Sequence, residues 1–234
     1  MPALRLSLIY GLRPNALGLC GPQEEKNKKI ISEFIGGKDI PEMTLRLISK
    51  NFRGAYPYYQ LVAGANSIKD SLSERAVRAY WTGSGDLEKV KFADFERMAR
   101  DRFFLKKIPA GSLPHHSFHV LNVGRVNGKL RENLLDVCLV KWGRVKKING
   151  SEVSVDNYQG LKKRGKTFYL APKSVKEITW DQKSAPDLKI GDWVSIHWHN
   201  VIEKLDRESI KNLKKYTKIN LRAYGSGFRE KTNK

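Results

Sequence analysis

Glu152-Val153-Ser154-Val155-Asp156-Asn157-Tyr158 alternates apolar and polar side chains with a period of two, the pattern of a strand with one buried and one solvated face. Similar short, β-rich runs occur at 118–123, 134–145, 167–170 and 193–199, parted by Gly, Asn and Lys turns. Five or so short strands in this length predict a small, closed or nearly closed β-barrel of the OB-like kind, with alternate side chains filling its interior. After the strands, Asp206 is a natural N-cap for an amphipathic helix carrying Ile210, Leu213 and Tyr216. The polar stretch 225–234 should fray.

Upstream of the Pro-rich linker at 109–114 the period is helical. Pro22 suits a first helical position, residues 23–35 place Ile30, Ile31, Phe34 and Ile35 on one side, and Gly36-Gly37 ends the run. Further helices are expected over 41–52 and 56–65, from Ser73-Glu74 to the stop at Gly83, and over 92–104. Their aromatic residues track the helix period, which assigns them to a core rather than to a binding surface. The reading is therefore an α+β protein: a mostly helical domain over 1–112, a barrel with its C-terminal helix over 113–221, and a flexible basic tail over 222–234.

Composition agrees with two modest domains. The chain has 234 residues, 40% of them hydrophobic and 29% charged, which is ordinary for a globular protein and excludes a disordered or membrane-embedded one. Cys20 and Cys138 are the only cysteines, too few for a disulfide framework, and a reducing compartment, the cytoplasm, follows as the expectation. The apolar run 4–12 contains Arg5 and is followed by Arg13 and Pro14, which suits neither a membrane span nor a signal segment. The formal net charge of +20 is spread over both halves. It would favour nucleic acid, anionic lipid or an acidic protein partner, and a generally lysine-rich composition would give it as well.

All five histidines fall in two clusters: His115, His116 and His119 in PHHSFH, and His197 and His199 in IHWH. On a strand His197 and His199 would point to one face and Trp198 to the other, offering two imidazoles to one ion. His115 and His119 would share a face in a helix or a strand. Neutral nitrogen donors joined by a thiolate from Cys20 or Cys138 are what a soft or borderline transition metal requires. The alternative for each is plain: a strand pair of histidines is often structural, and a lone cysteine is often a small buried apolar residue.

Cys138-Leu139-Val140-Lys141-Trp142-Gly143-Arg144-Val145 resembles the opening box of the HypC/HupF-type hydrogenase-maturation chaperones. A second stretch agrees in order and distance: Ile190-Gly191-Asp192-Trp193-Val194-Ser195-Ile196-His197, then Ile202-Glu203-Lys204-Leu205-Asp206 before the last helix. The resemblance covers about 137–221. It implies an OB-like barrel, Cys138 as a thiolate ligand with His197 as its imidazole partner, iron or another transition metal as the bound group, and a metalloenzyme subunit or maturation factor as partner. The sequence departs from that family in an internal rather than N-terminal cysteine, in Trp142 where proline is usual, and at His199-Asn200-Val201.

The N-terminal half is similar to an uncharacterised bacterial and archaeal family through Pro14-Asn15-Ala16-Leu17-Gly18-Leu19-Cys20-Gly21-Pro22, Tyr56-Pro57-Tyr58, Ala79-Tyr80-Trp81 and the PHHSFH box. That likeness implies that Cys20 and the first histidine cluster belong to one constellation, facing the barrel across the domain interface. The leading expectation is a non-catalytic accessory protein that binds a metal centre or metalloenzyme subunit. A basic RNA-binding barrel is the alternative, using Lys162, Lys163, Arg164 and Lys166 in one loop together with a basic last helix to track a phosphate backbone, with no membrane role. An enzyme with a cysteine nucleophile and histidine base is a third, for which no flanking signature occurs.

Overall fold

The computed structural model describes residues 1–123, 125–126, 129–130, 132–165 and 167–227, with backbone alone at 123, 125–126, 129–130, 132 and 226–227. Helix α1 (Pro2–Ala16) starts at a proline, whose missing N–H costs nothing in a first turn. Leu4, Leu6, Leu8, Ile9 and Tyr10 are all buried, so the helix is apolar nearly all round and runs through the middle of the helical half. Around it lie α2 (Glu25–Ile35), α3 (Glu42–Lys50), α4 (Tyr56–Ala65), α5 (Glu74–Trp81) and α6 (Phe92–Phe103). These five fall where the helical period put them. Ser73 caps α5, its Oγ accepting from the Ala76 N–H at 3.4 Å.

One expected strand and the first part of another are helices instead, the rest of 134–145 forming the start of a strand at Lys141. Residues 118–123 belong to α7 (His116–Val123), and the first part of 134–145 belongs to α8 (Glu132–Cys138). Short apolar runs of this length carry no period, and here packing against the helical half decides. A two-strand hairpin, β1 (Arg125–Val126) with β2 (Lys129–Leu130), separates the two helices.

The barrel begins at β3 (Lys141–Asn149) and continues into β4 (Glu152–Tyr158). A hairpin of β5 (Leu161–Arg164) and β6 (Thr167–Leu170) stands outside it, so the 167–170 strand is real but forms no stave. The staves are completed by β7 (Ser174–Thr179), β8 (Trp193–His197) and β9 (Asn200–Leu205), closing in the order β3-β4-β7-β9-β8 with β7 and β9 parallel. Val145, Val153, Val155, Ile178, Val194, Ile196 and Val201 fill the interior, as the period-two reading requires.

Helix α9 (Arg207–Gly227) opens as expected, Asp206 Oδ1 accepting from the Ser209 N–H at 2.7 Å. It continues through 222–227, which the sequence assigned to a flexible tail, because Ala223 and Tyr224 are buried and Tyr224 meets Phe168 at 5.4 Å between ring centroids. Residues 228–234 lie outside the described residues.

The principal core ignores the expected boundary at 112. It joins Leu4, Leu8, Trp81 and Phe118 of the helical half to Val140, Trp142, Ile202 and Leu205 of the barrel and to Leu213 and Tyr216 of α9. No helix among the described residues is long and apolar enough to cross a membrane.

Candidate metal centre

Five of the seven cysteine and histidine positions singled out from sequence line one cavity of about 140 Å³: Cys20, His116, His119, Cys138 and His197. It lies where α1, the α3–α4 connection, α5, α7, α8 and the β8 end of the barrel meet. Four local devices deliver the five donors.

Cys20 follows the end of α1. The Pro14 carbonyl accepts from the amides of Leu19 at 2.9 Å and Cys20 at 3.3 Å, and the buried Asn15 amide donates to the carbonyls of Cys20 (2.9 Å) and Pro22 (2.7 Å). The Pro14–Pro22 box is therefore a device for holding this thiol.

The PHHSFH box starts α7. His115 Nδ1 lies 2.8 Å from Ser117 Oγ, which the Asn220 amide of α9 also reaches at 2.9 Å. This places His115 outside the cavity, as a structural residue at the helix start. His116 and His119, three apart on α7, share the face that His115 and His119 were expected to share.

Cys138 ends α8 rather than sitting on the first stave. His197 ends β8, and the backbone then turns through Trp198 (φ 51°) and His199 (φ 59°), both left-handed. A two-residue turn with positive φ at both positions is of the hairpin-closing kind. It breaks the alternation that would have set His197 and His199 side by side. Trp198 lines the cavity, while His199 is exposed and borders a separate cleft with Asn133, Asp136 and Lys162.

His116, Cys138 and His197 form the tightest group, with one potential ligand atom from each lying within 4.8 Å of the other two. Bonds of about 2.0–2.3 Å to a tetrahedral ion set neighbouring donors about 3.5 Å apart, so a small contraction suffices. His197 Nδ1 is 2.8 Å from the Tyr10 carbonyl, which can only accept. That bond puts the proton on Nδ1 and leaves the lone pair on Nε2.

Nε2 of His197 and Nδ1 of His116 are buried with no hydrogen-bond partner among the described residues. The Cys138 carbonyl near the His197 ring favours its charged form slightly without satisfying Nε2. Buried nitrogens left open in this way are costly, and they are what a ligand would satisfy. The His116 and His197 rings meet edge to face at 5.3 Å, and Trp81 lies 4.5 Å from His116 and 5.7 Å from His197.

Burial sets the charge of every donor. It pushes the His197 imidazole down to about 3, drives His116 well below its usual range, and lowers His119 to about 4. It raises the Cys138 thiol to about 12, partly opposed by the Trp198 indole N–H, and the Cys20 thiol to about 11. At neutral pH the imidazoles are uncharged, their lone pairs unclaimed by protons, and the thiols keep theirs. Two nitrogens and a sulfur with no carboxylate form a set for a soft or borderline transition metal, not for magnesium or calcium. The residues present fit such an ion.

Lys162, Lys163 and Arg164 lie on strand β5 of the outer hairpin rather than in a loop, and Lys166 lies outside the described residues. Sequence reading missed Tyr10, whose carbonyl orients His197, and Gly54, beside Cys20 and His119. A tyrosine acting through its backbone leaves no sequence signal.

Residues 6–231 match the profile of a family of unknown function (DUF6390). The chain belongs to DUF6390. All five cavity donors fall inside the matched DUF6390 segment, so helical half, barrel and site form one family unit. No curated protein and no solved structure matches this DUF6390 chain.

Proposed function

We propose that the protein is a non-catalytic accessory protein that holds a thiophilic transition-metal ion through His116, Cys138 and His197. The observation that carries this reading is the convergence of three donors from three separate parts of the fold to within 4.8 Å, with two orphaned ring nitrogens among them. The protein's contribution is to keep both imidazoles neutral and oriented and to exclude water with Trp81, Leu135 and Trp198. The ion, when held, supplies the charge that stabilises the Cys138 thiolate.

The Cys138–His197 pair is also the one that the resemblance to hydrogenase-maturation chaperones selects. On that finer reading the ion is iron and the partner is a metalloenzyme subunit or maturation factor. Anaerobic purification, followed by iron, nickel and zinc analysis and by titration with Co2+, tests the function. Wild type is expected to bind one ion, with Cys138→Ala and His197→Ala losing it. A wild type that takes up none of these ions defeats the proposal.

A second reading rests on the outer hairpin. Lys162 pairs with Tyr169 and Arg164 with Thr167, and these four stand exposed on one face. An exposed aromatic ring beside cations is what single-stranded nucleic acid stacks on. Salt-dependent binding of a random oligoribonucleotide, weakened by Tyr169→Ala, is the expected result on this reading.

A further inference from the structure

We propose that Cys20 and His119 form a second, outer position for the same class of ion, through which it reaches the inner triad. This rests on the metal-binding reading above. Cys20 and His119 line the same cavity as the triad but fall outside its tight group. They face each other over Gly54. A Cβ at that position would stand 3.0 Å from His119 Nε2 and 3.6 Å from Cys20 Sγ, so the bare glycine leaves room for the His119 ring and places both donors around one spot. The Tyr80 hydroxyl fixes the Gly54 backbone by donating to its carbonyl at 2.8 Å.

The position lies at the open end of the cavity. Cys20 and His119 are both part-exposed, and Leu19 on the cavity wall beside Cys20 is 47% exposed; in the triad Cys138 is part-exposed too, while His116 and His197 are only 3% and 2% exposed. Much of the remaining wall is apolar: Pro14, Phe52, Ala55, Val120 and Leu134. An ion moving inward must exchange its waters for other donors, because a hydrated cation gains nothing from such a wall. Cys20 and His119 are the donors the route provides. A sulfur and an imidazole bind the ion more weakly than the triad does, so it can leave them.

Uptake of Zn2+ by the metal-free protein, followed by stopped-flow against a chromophoric chelator, is compared with the Co2+ spectrum at equilibrium. The Cys20→Ser/His119→Ala variant is expected to keep one ion and a one-thiolate Co2+ spectrum while its uptake slows by at least about tenfold. Gly54→Ala, which crowds His119 without removing a donor, should slow uptake in the same direction, and circular dichroism checks that both variants fold. Unchanged uptake rates overturn the outer position, as does a wild-type spectrum with two thiolates that falls to one in Cys20→Ser, for then Cys20 ligates the inner ion directly. Absence of bound Co2+ in wild type is a different result and defeats the metal-binding reading itself.

Discussion

Tyr10 of α1 and Glu203 of β9 meet at 2.9 Å across the seam between the helical half and the barrel. Ser195 Oγ lies 2.9 Å from the same phenol oxygen, and Arg78 pairs with the other carboxylate oxygen of Glu203 at 2.9 Å. The phenol ring stacks on Trp81 at 4.6 Å, while the carbonyl of the same residue orients His197. One residue thus anchors the seam with its side chain and a metal donor with its backbone.

Those roles can be separated. Tyr10→Phe keeps the ring and the carbonyl but leaves Glu203 and Ser195 each short of a partner, which should cost about 1–3 kcal/mol. Urea denaturation is expected to show that loss with the Co2+ spectrum unchanged. An altered spectrum with unchanged stability would mean that the phenol, not the carbonyl, places His197.

Acid should unfold the protein early. His115, His116 and His197 are buried, and burial lowers all three pKa values, to about 3 for His115 and His197. In the unfolded chain they protonate near 6.5, so the unfolded state takes up the protons. Stability is full above about pH 6.5 and falls as pH drops toward 3, by up to about 1.4 kcal/mol per histidine per pH unit. Three such groups together cost up to about 6 kcal/mol at pH 5 and about 10 kcal/mol at pH 4, against a typical stability of about 5–15 kcal/mol. Tryptophan fluorescence against pH should show the transition between about pH 5 and 3, and a denaturation free energy that does not fall from about pH 6.5 to pH 4 would contradict these burials.

What the sequence makes legible follows from periodicity. Helices α2 to α6 and strands β4 and β8 could be read because one face of each is apolar, and Asp206 marked the start of α9. Helix α1 leaves no stripe since Leu4, Leu8 and Tyr10 are buried on every side. Helices α7 and α8 are only eight and seven residues long and mix apolar with polar side chains in a way that a strand would also fit. The donor types were visible as clusters. Their meeting depends on α7 and α8 being helices, and the separation of His199 depends on the left-handed turn at Trp198, and neither is written in local pattern.

The Lys141 ammonium is buried at 3% exposure, with the Asp136 carboxylate 3.1 Å away as its counter-charge. Asp136 also accepts from the Leu161 N–H at 2.6 Å. Removing the carboxylate strands a buried cation, so Asp136→Ala should cost about 3–5 kcal/mol. Lys141→Met fills the same space without a charge and leaves Asp136, still bonded to Leu161 and part-exposed, at a smaller cost. Chemical denaturation of both variants checks the order, and equal losses would argue against a buried pair.

Gly83 ends α5 with φ 87°, and a Cβ there would lie 2.3 Å from the Tyr216 ring of α9. Gly83→Ala meets both a backbone penalty and a clash, together about 2–4 kcal/mol. Because α5 and α9 share one core with the barrel, circular dichroism and tryptophan fluorescence should report the same lowered midpoint. Two separated transitions would mean that the halves unfold independently.

Binding of the ion should be coupled to the release of one proton. Burial holds the Cys138 thiol up at about 12, so below that pH the free site carries S–H, whereas the bound site carries the thiolate. The imidazoles are already neutral above about pH 6.5 and contribute no further proton. Affinity for Zn2+ should therefore rise about tenfold per pH unit between about pH 6.5 and 8.5. Calorimetry in buffers of differing ionisation heat should count one proton released, and Cys138→Ser should flatten the dependence. Two protons would bring the Cys20 thiol, held up at about 11, onto the same ion, and none would take Cys138 off it.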